Sequence, residues 1–203
     1  MTVNNDQLVD PEALREQVRD KYRDVALAPH GEHHFHTGRP LTIRLGYDQA
    51  VVEALPDRAV ESFAGVGNPF SLRSLVPGEK IVDIGSGAGF DSFVAAGQVT
   101  SSGRVVGIDM TPEMLDKSRQ TANTLGLTNV EFLEGIAETI PVADSWADAV
   151  ISNGVINLCA DKQTVFSEIY RILRPGGTLQ FADIANGLPV PLEAMQDIDL
   201  WTG

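Results

Sequence analysis

A glycine-rich turn between an apolar strand and a helix constrains the fold of this chain more than any other feature. The residues 82–91 read VDIGSGAGFD, with glycines at positions 85, 87 and 89. Glycine lets the backbone adopt positive φ and lets a ligand approach closely, and a helix N-terminus offers free N–H groups to it. The turn therefore predicts a strand–turn–helix unit that holds a nucleotide-like or carboxylate-bearing ligand.

From residue 80 onward, short β-branched segments alternate with amphipathic ones, which is typical of an α/β fold with a parallel sheet. Thr111 is placed to cap a helix opened by Pro112, and Asp161 caps a helix that the turn 174–177 (RPGG) ends. The apolar face of that second helix is predicted to comprise Val165, Phe166, Ile169, Tyr170, Ile172 and Leu173. Five strands are predicted, at 80–85, 104–109, 130–135, 147–153 and 178–184.

The first 75 residues are too short and too weakly patterned to build a core of their own. Asp10 is placed to cap a helix opened by Pro11, on which Leu14, Val18 and Tyr22 recur every four residues. Residues 30–40 have turn chemistry, and a short helix is expected between 49 and 63. We therefore expect residues 1–75 to form an N-terminal helical cap and residues 76–203 to form the ligand-binding domain.

Composition excludes several classes of function. The chain of 203 residues carries 28 acidic and 15 basic side chains, a net charge of −13, which disfavours binding to nucleic acid phosphates. Because Cys159 is its only cysteine, the chain cannot form an internal disulfide or a cysteine zinc cluster. No run of residues is apolar enough for a membrane span. With no leader pattern, these features predict a cytoplasmic protein whose partner is a small molecule.

A histidine-rich stretch invites interpretation as a metal site. Glu32, His33, His34 and His36 lie close together in sequence, but no cysteine or second ligand pair accompanies them. A polar loop without metal is the favoured interpretation.

Other positions agree with a nucleoside ligand. Asp109 ends the second strand, 24 residues after Gly85, where its carboxylate can accept hydrogen bonds from both ribose hydroxyls. Met110 can lie against an adenine ring, and backbone groups of 135–138 can contact its edge. A dinucleotide fingerprint would need glycine at position 90, where the chain has Phe90, so a nicotinamide dehydrogenase is disfavoured.

The ordered motifs DIGSGAG, GIDM, EGIAE, ISNGVINL and LRPGG, over residues 80–185, resemble those of class I S-adenosylmethionine-dependent methyltransferases. The runs IDMTPEMLDKSR, ISNGVINLCADKQTVFSEIYRILRPGG and AGVGNPF are most similar to arsenite methyltransferases and their relatives. The resemblance implies a Rossmann-like sheet, S-adenosyl-L-methionine as cofactor and methyl transfer to a small-molecule acceptor. It implies cofactor-binding roles for Asp83, Gly85, Ser86, Gly87, Gly89, Asp91, Asp109, Met110, Ile136, Ala137 and Asn153.

Two catalytic candidates follow at strand ends. Asn153 is expected to orient the acceptor, and Asp183 is a candidate for removing its proton. Arsenite methyltransferases usually carry cysteine at two positions occupied here by Gly154 and Val66. Trivalent arsenic is thiophilic and needs two or three thiolates, so Cys159 alone does not supply a defined arsenic site.

The resemblance also implies two strands beyond the five predicted ones. Only 18 residues follow Ala185, and 191–201 is predicted to be a helix, so the last two strands are expected to be missing, as in a truncated chain or one completed by a partner. The fifth strand would then be an exposed edge open to self-association. This leaves a non-catalytic or degenerate S-adenosylmethionine-binding protein as the alternative function.

Overall fold

The fold is a five-stranded parallel sheet with helices on both faces. The computed structural model describes residues 9–31, 36–188, 190–191, 193, 197 and 200–201. The strands are β1 (Lys80–Ile84), β2 (Arg104–Asp109), β3 (Val130–Glu134), β4 (Ala147–Asn153) and β5 (Leu173–Ala182), in the spatial order β3-β2-β1-β4-β5. The helices are α1 (Pro11–Leu27), α2 (Arg39–Arg44), α3 (Gln49–Ala54), α4 (Asp57–Val60), α5 (Phe90–Val99), α6 (Pro112–Thr124) and α7 (Lys162–Ile172).

The centre of the sheet lies at β1, which pairs with β2 on one side and with β4 on the other. Its residues Ile81, Val82 and Ile84 are completely or almost completely buried, because helices cover both faces of a parallel sheet. The strand order reverses between β1 and β4, and such a reversal opens a crevice at the carboxyl ends of the strands. The α/β fold class and the parallel sheet predicted from the sequence are confirmed.

The predicted bounds of the fifth strand are wrong at both ends. It was expected over 178–184, whereas β5 runs from Leu173 to Ala182 and leaves Asp183 just beyond the strand. Ala147 pairs with Leu173 and Ala149 with Thr178, so residues 174–177 form an irregular insertion within the strand. The prolyl and glycyl residues of this turn therefore bend a strand that has already begun, and α7 ends earlier, at Ile172. β1 and β3 each end one residue before the predicted bound.

Helix capping follows the predictions at two of three positions. The carboxylate of Asp10 accepts from the N–H of Glu12, and that of Asp161 accepts from the N–H of Thr164. Thr111 occupies the N-cap position of α6 without a capping bond from its side chain. Its own N–H instead donates to Asp109 Oδ1 at 2.8 Å, which ties the start of α6 to the end of β2.

The apolar face of α7 is narrower than predicted. Val165, Ile169 and Ile172 are buried, as expected for a stripe of residues that meets the sheet. Phe166 and Tyr170 lie beside that stripe and are 42% and 83% exposed, because α7 flanks β5 at the edge of the described sheet. Of the residues predicted for the apolar face of this helix, Phe166 and Tyr170 are therefore not buried, and Leu173 belongs to β5.

The described residues before β1 form the long helix α1 and three short helices, α2, α3 and α4, and α1 packs on the sheet domain. α1 contacts α6, and Val25 and Ala26 form a core cluster with Met114 of α6 and Ala88 of the glycine turn. Lys117, also on α6, donates from Nζ to the carbonyl of Ala26 at 3.1 Å.

The predicted helix between 49 and 63 is two helices, α3 and α4, and α2 begins inside the segment expected to be a turn. Arg39 stabilises this arrangement, because its guanidinium donates to the carbonyls of Val52 and Leu55 at the end of α3, each at 2.6 Å. Glu32, His33 and His34 lie outside the described residues, as does most of the helix predicted over 191–201. Within the described part of the chain, no helix has the length and apolar character needed to cross a membrane.

Candidate ligand-binding site

A cavity opens at the carboxyl ends of β1, β2, β3 and β4, beneath α1. Its floor is the glycine turn after β1, and its far wall is the segment after β4. The predicted site residues that line it are Asp83, Gly85, Ser86, Gly87, Asp91, Asp109, Met110, Ile136, Ala137 and Asn153. The structure thus brings together side chains from four strand ends.

The glycine turn needs glycine for two different reasons. Gly85 has φ +69°, and a Cβ atom there would lie 2.3 Å from Cγ2 of Val155, so a side chain would collide with the opposite wall. Gly87 has φ +53°, but a Cβ atom there would meet only Met114 Sδ, at 4.0 Å. The backbone at Gly87 is therefore accessible from the cavity. Between the two glycines, Ser86 has a buried Oγ without a hydrogen-bond partner among the described residues.

Asp109 connects the second strand to the glycine turn. Its Oδ2 accepts from the N–H of Gly87 and its Oδ1 from the N–H of Thr111, both at 2.8 Å. Burial raises the pKa of Asp109, while these N–H donors act in the opposite direction. A carboxylate has about four acceptor positions, so both oxygens keep capacity for hydroxyl groups of a ligand.

Two further carboxyl groups lie deep in the same cavity. Asp83 and Asp91 are 2% and 6% exposed, and Asp83 Oδ2 accepts from the hydroxyl of Ser92 at 2.6 Å. Burial raises the pKa of both groups, and the negative charges of Asp91 and Asp109 raise that of Asp83 further. Among the described residues, no arginine, lysine or histidine forms an ion pair with any of the three. The cavity therefore suits a ligand that carries positive charge near this wall.

The side chain of Asn153 lines the cavity and is hydrogen-bonded to several protein groups. Its Oδ1 accepts from the N–H groups of Val66 and Gly67, at 2.8 and 3.1 Å. Its Nδ2 lies 3.0 Å from Asp91 Oδ2, 3.0 Å from the hydroxyl of Tyr47 and 2.9 Å from the carbonyl of Gly67. The amide lines the cavity, but its hydrogen-bonding capacity is engaged by the protein itself.

Sequence reasoning missed Tyr47. It lies in the loop between α2 and α3, is 7% exposed, and donates its hydroxyl proton to Asp91 Oδ1 at 2.7 Å. The residue stands in a segment with no recognised motif, and only the folded structure brings it to the glycine turn.

Two predicted site residues do not line the cavity. A Cβ atom at Gly89 would lie 2.8 Å from Cζ of Phe132, so this glycine allows α5 to pack closely against the sheet. Asp183 accepts from the N–H groups of Asn157 and Ile184, at 3.1 and 2.8 Å, and thereby holds the loop after β4. The structure gives Asp183 no direct access to a molecule in the cavity.

The part of the cavity opposite the carboxylates is mainly apolar. It is bounded by α1 and by residues 158–160, which include Cys159. Burial, with a contribution from Glu138, raises the pKa of the Cys159 thiol to about 12, so this sulfur is protonated at neutral pH. Its Sγ lies 3.5 Å from the carbonyl of Val155. Among the described residues, no group of three histidine, cysteine or carboxylate side chains is arranged to bind a metal ion.

Comparison with known proteins places this chain in a family. Residues 75–200 match the family model described as a methyltransferase domain. The chain is 40% identical to the arsenite methyltransferase of Halobacterium salinarum over 100% of its own length and 56% of that protein. It is also 40% identical to the arsenite methyltransferase of Aquipseudomonas alcaligenes, over 61% of this chain and 38% of that one.

A solved structure gives the same result. The arsenic(III) S-adenosylmethionine methyltransferase of Chlamydomonas reinhardtii superposes with a TM-score of 0.67 and 36% sequence identity, covering 72% of this chain and 51% of that one. The chain therefore spans about half the length of these relatives, with 51% of the Chlamydomonas reinhardtii protein and 56% of the Halobacterium salinarum protein covered.

Proposed function

This chain belongs to the family of S-adenosylmethionine-dependent methyltransferases, and on that premise we propose that it transfers a methyl group from S-adenosylmethionine to a small-molecule acceptor. One observation carries the proposal. Asp109 at the end of β2 accepts from the N–H of Gly87, which places the acidic group expected for the ribose directly against the glycine turn.

The residues of the cavity fit this cofactor. The buried Oγ of Ser86 has no partner among the described residues, and the backbone at Gly87 is accessible from the cavity, so the turn can take part in binding a ligand. Asp83 and Asp91 supply negative charge without a basic partner among the described residues, which suits the ammonium and sulfonium groups of the cofactor. Asp109 suits the ribose hydroxyls, while Ile136 and Ala137 provide an apolar surface for the adenine ring.

S-adenosylmethionine supplies an electrophilic methyl group on a positively charged sulfur. The residues of this chain then have to hold the acceptor in line with that methyl group and exclude water. α1 closes the cavity from above through Leu14 and Val18, both at most 5% exposed. Asp83 and Asp91 line the same cavity as this apolar cover.

We assign the acceptor to the part of the cavity bounded by α1 and residues 158–160. This part suits a neutral or soft small molecule more than a charged one. Arg15 and Glu138 are its charged groups, and they partly compensate each other at 3.9 Å. The Cys159 thiol is protonated at neutral pH, and Gly154 and Val66 supply no sulfur. We therefore propose an arsenite-methyltransferase-like enzyme in which a thiolate-bound arsenic is not the acceptor.

The placement of Asn153 and Asp183 favours one alternative. Asn153 is engaged with protein groups, and Asp183 lies outside the cavity, so neither predicted catalytic side chain is available to an acceptor. A protein that binds S-adenosylmethionine without transferring its methyl group would show the same arrangement.

Two measurements separate these functions. Calorimetry should show that S-adenosylmethionine binds to the wild-type chain and about a hundredfold more weakly to Asp109→Ala, because losing a charged hydrogen-bonded group costs several kcal/mol. Binding to the control Asp116→Ala, on α6, should be unchanged. Equal affinity of Asp109→Ala and wild type would refute the site. Transfer of a labelled methyl group to arsenite, small thiols or amines then identifies an enzyme, whereas binding without transfer to any acceptor supports the alternative.

A further inference from the structure

We propose that Tyr47 is a positioning residue for the cofactor site: from behind the cavity wall, its hydroxyl fixes the carboxylate of Asp91 and, with Asn153, the loop that carries Gly65 and Gly67. The inference rests on the proposed function, since Asp91 is assigned there to the positively charged part of the cofactor. It concerns a residue of the N-terminal segment that does not itself line the cavity.

The hydrogen bonds of the Tyr47 hydroxyl define this role. The oxygen lies 2.7 Å from Asp91 Oδ1 and 3.2 Å from the carbonyl of Gly67, and its single proton goes to the nearer carboxylate. Asn153 donates to the same hydroxyl at 3.0 Å and to Asp91 Oδ2 at 3.0 Å. Both oxygens of Asp91 therefore receive a donor, and a single rotamer of its side chain satisfies both bonds.

The ring of Tyr47 is held so that the hydroxyl cannot move away. It makes edge-on contacts with Phe63 and Phe90, with ring centroids 5.5 and 4.9 Å apart, and with Phe70 at 6.2 Å. Burial and the neighbouring charge of Asp91 raise the pKa of Tyr47, so the hydroxyl is protonated and is a donor at neutral pH.

The same bonds reach the cavity through a loop. The Asn153 amide binds the N–H groups of Val66 and Gly67, and a Cβ atom at Gly65 would lie 2.5 Å from its Nδ2. Gly65 lines the cavity beside Asp91. Tyr47 thus supports two parts of one wall, the carboxylate directly and the loop through Asn153.

In a purely structural role, Tyr47 would act only through packing of its aromatic ring. The protonation of Asp91 distinguishes this packing role from a positioning role. Facing Asp91 are Asp83 on β1 and Tyr47, while Asp109 on β2 and Arg15 and Tyr22 on α1 line the same cavity. Burial raises the pKa of Asp91, and the donors Asn153 and Tyr47 lower it. Removing only the hydroxyl should therefore make Asp91 easier to protonate while leaving the ring contacts in place.

The test compares Tyr47→Phe with Tyr170→Phe, which removes an exposed hydroxyl on α7. Carbon-13 NMR of labelled aspartate carboxyl groups in the ligand-free protein should show the Asp91 titration midpoint rising by roughly one pH unit in Tyr47→Phe only. Affinity for S-adenosylmethionine in mildly acidic buffer should fall about tenfold in the same variant. In an Asp91→Asn background, Tyr47→Phe should have no further effect on the pH profile of binding.

The outcomes are separable. A lower melting temperature in Tyr47→Phe with an unchanged Asp91 midpoint overturns the proposal and leaves a packing role. If the wild-type chain binds no S-adenosylmethionine, the proposed function fails, and the ligand-free titration still decides whether Tyr47 controls Asp91. If Tyr47→Phe does not fold, the Tyr47 Cζ resonance of the wild-type chain is measured as a function of pH. It should change with the same midpoint as the titration of Asp91, and a resonance that does not do so overturns the proposal.

Discussion

Gly154 lines the cavity and packs against Val66, since a Cβ atom added to Gly154 would lie 3.2 Å from Cγ1 of Val66. The resemblance to arsenite methyltransferases implies cysteine at both positions, so in such a relative two thiols would meet at this point. In this chain Gly154 carries only a hydrogen atom at this point, and Val66 carries an isopropyl group. The loss of both sulfurs is therefore a change at one place in the structure and not two scattered substitutions.

Restoring both thiols should create an arsenic-binding site that the chain lacks. In Val66→Cys with Gly154→Cys, arsenite should protect both new thiols from alkylation, because trivalent arsenic binds close thiolate pairs tightly. Because Gly154 has a φ of +72°, its replacement by cysteine should reduce the free energy of unfolding by about 1 to 2 kcal/mol. Mass spectrometry after alkylation gives the result, with the double serine variant as control. Arsenite protection of Cys159 in the wild-type chain would contradict the proposed acceptor class.

Alanine should have opposite effects at a glycine of the turn, Gly85, and at a glycine of α5, Gly97. Gly85→Ala should lower the free energy of unfolding by more than about 2 kcal/mol, because its Cβ would lie 2.3 Å from Val155 Cγ2 and its φ is +69°. Gly97→Ala, in the exposed interior of α5 with no atom within 4 Å of the new Cβ, should raise it by about 0.5 to 1 kcal/mol. Urea unfolding of both variants measures the difference. Equal destabilisation of the two would show that neither the contact nor the φ value matters.

Much of the fold could be predicted because its determinants are local. Gly85 and Gly87 have the positive φ values that their turn requires, and Asp10 and Asp161 cap helices with donors two or three residues away. The predictions that were wrong concern features that depend on the neighbours of a helix or strand. The exposure of Phe166 follows from the position of α7 at the sheet edge, which no periodicity within the helix reveals.

The same distinction explains the site. Asp109 was predicted because its role depends on a fixed spacing from the glycine turn within one strand–helix–strand unit. Tyr47 could not be predicted, since its contact with Asp91 joins segments 44 residues apart through packing of the N-terminal helices. Asn153 was predicted as a cavity residue, but the N–H groups that engage it belong to Val66 and Gly67, far away in sequence.

The buried carboxyl of Asp83 should cost stability at neutral pH in the ligand-free protein. Burial raises its pKa above the unfolded value near 3.9, so its stabilising contribution is complete below that value and is lost as the pH rises through the folded-state pKa. Asp83→Asn keeps an acceptor for the Ser92 hydroxyl and removes the charge. It should raise the free energy of unfolding by about 1 to 2 kcal/mol at neutral pH.

Urea titrations of the wild-type chain and Asp83→Asn at acidic and neutral pH measure this difference. The gain should shrink as the pH falls, because the wild-type carboxyl is then protonated as well. Asp116→Asn on the exposed side of α6 serves as the control and should show no gain. A variant less stable than wild type at neutral pH would mean that the Asp83 charge is compensated within the ligand-free fold.

Binding of S-adenosylmethionine should become tighter as the pH rises from the mildly acidic to the mildly alkaline range. Burial raises the pKa values of Asp83 and Asp91 in the free protein, and a positively charged ligand beside them favours their ionised forms. Binding therefore releases protons in this range, and the affinity increases wherever protons are released. Calorimetry in two buffers with different heats of ionisation measures the proton release directly. S-adenosylhomocysteine, which lacks the sulfonium charge, should show a weaker dependence, and an affinity that falls with rising pH would place the positive charge of the ligand away from these carboxylates.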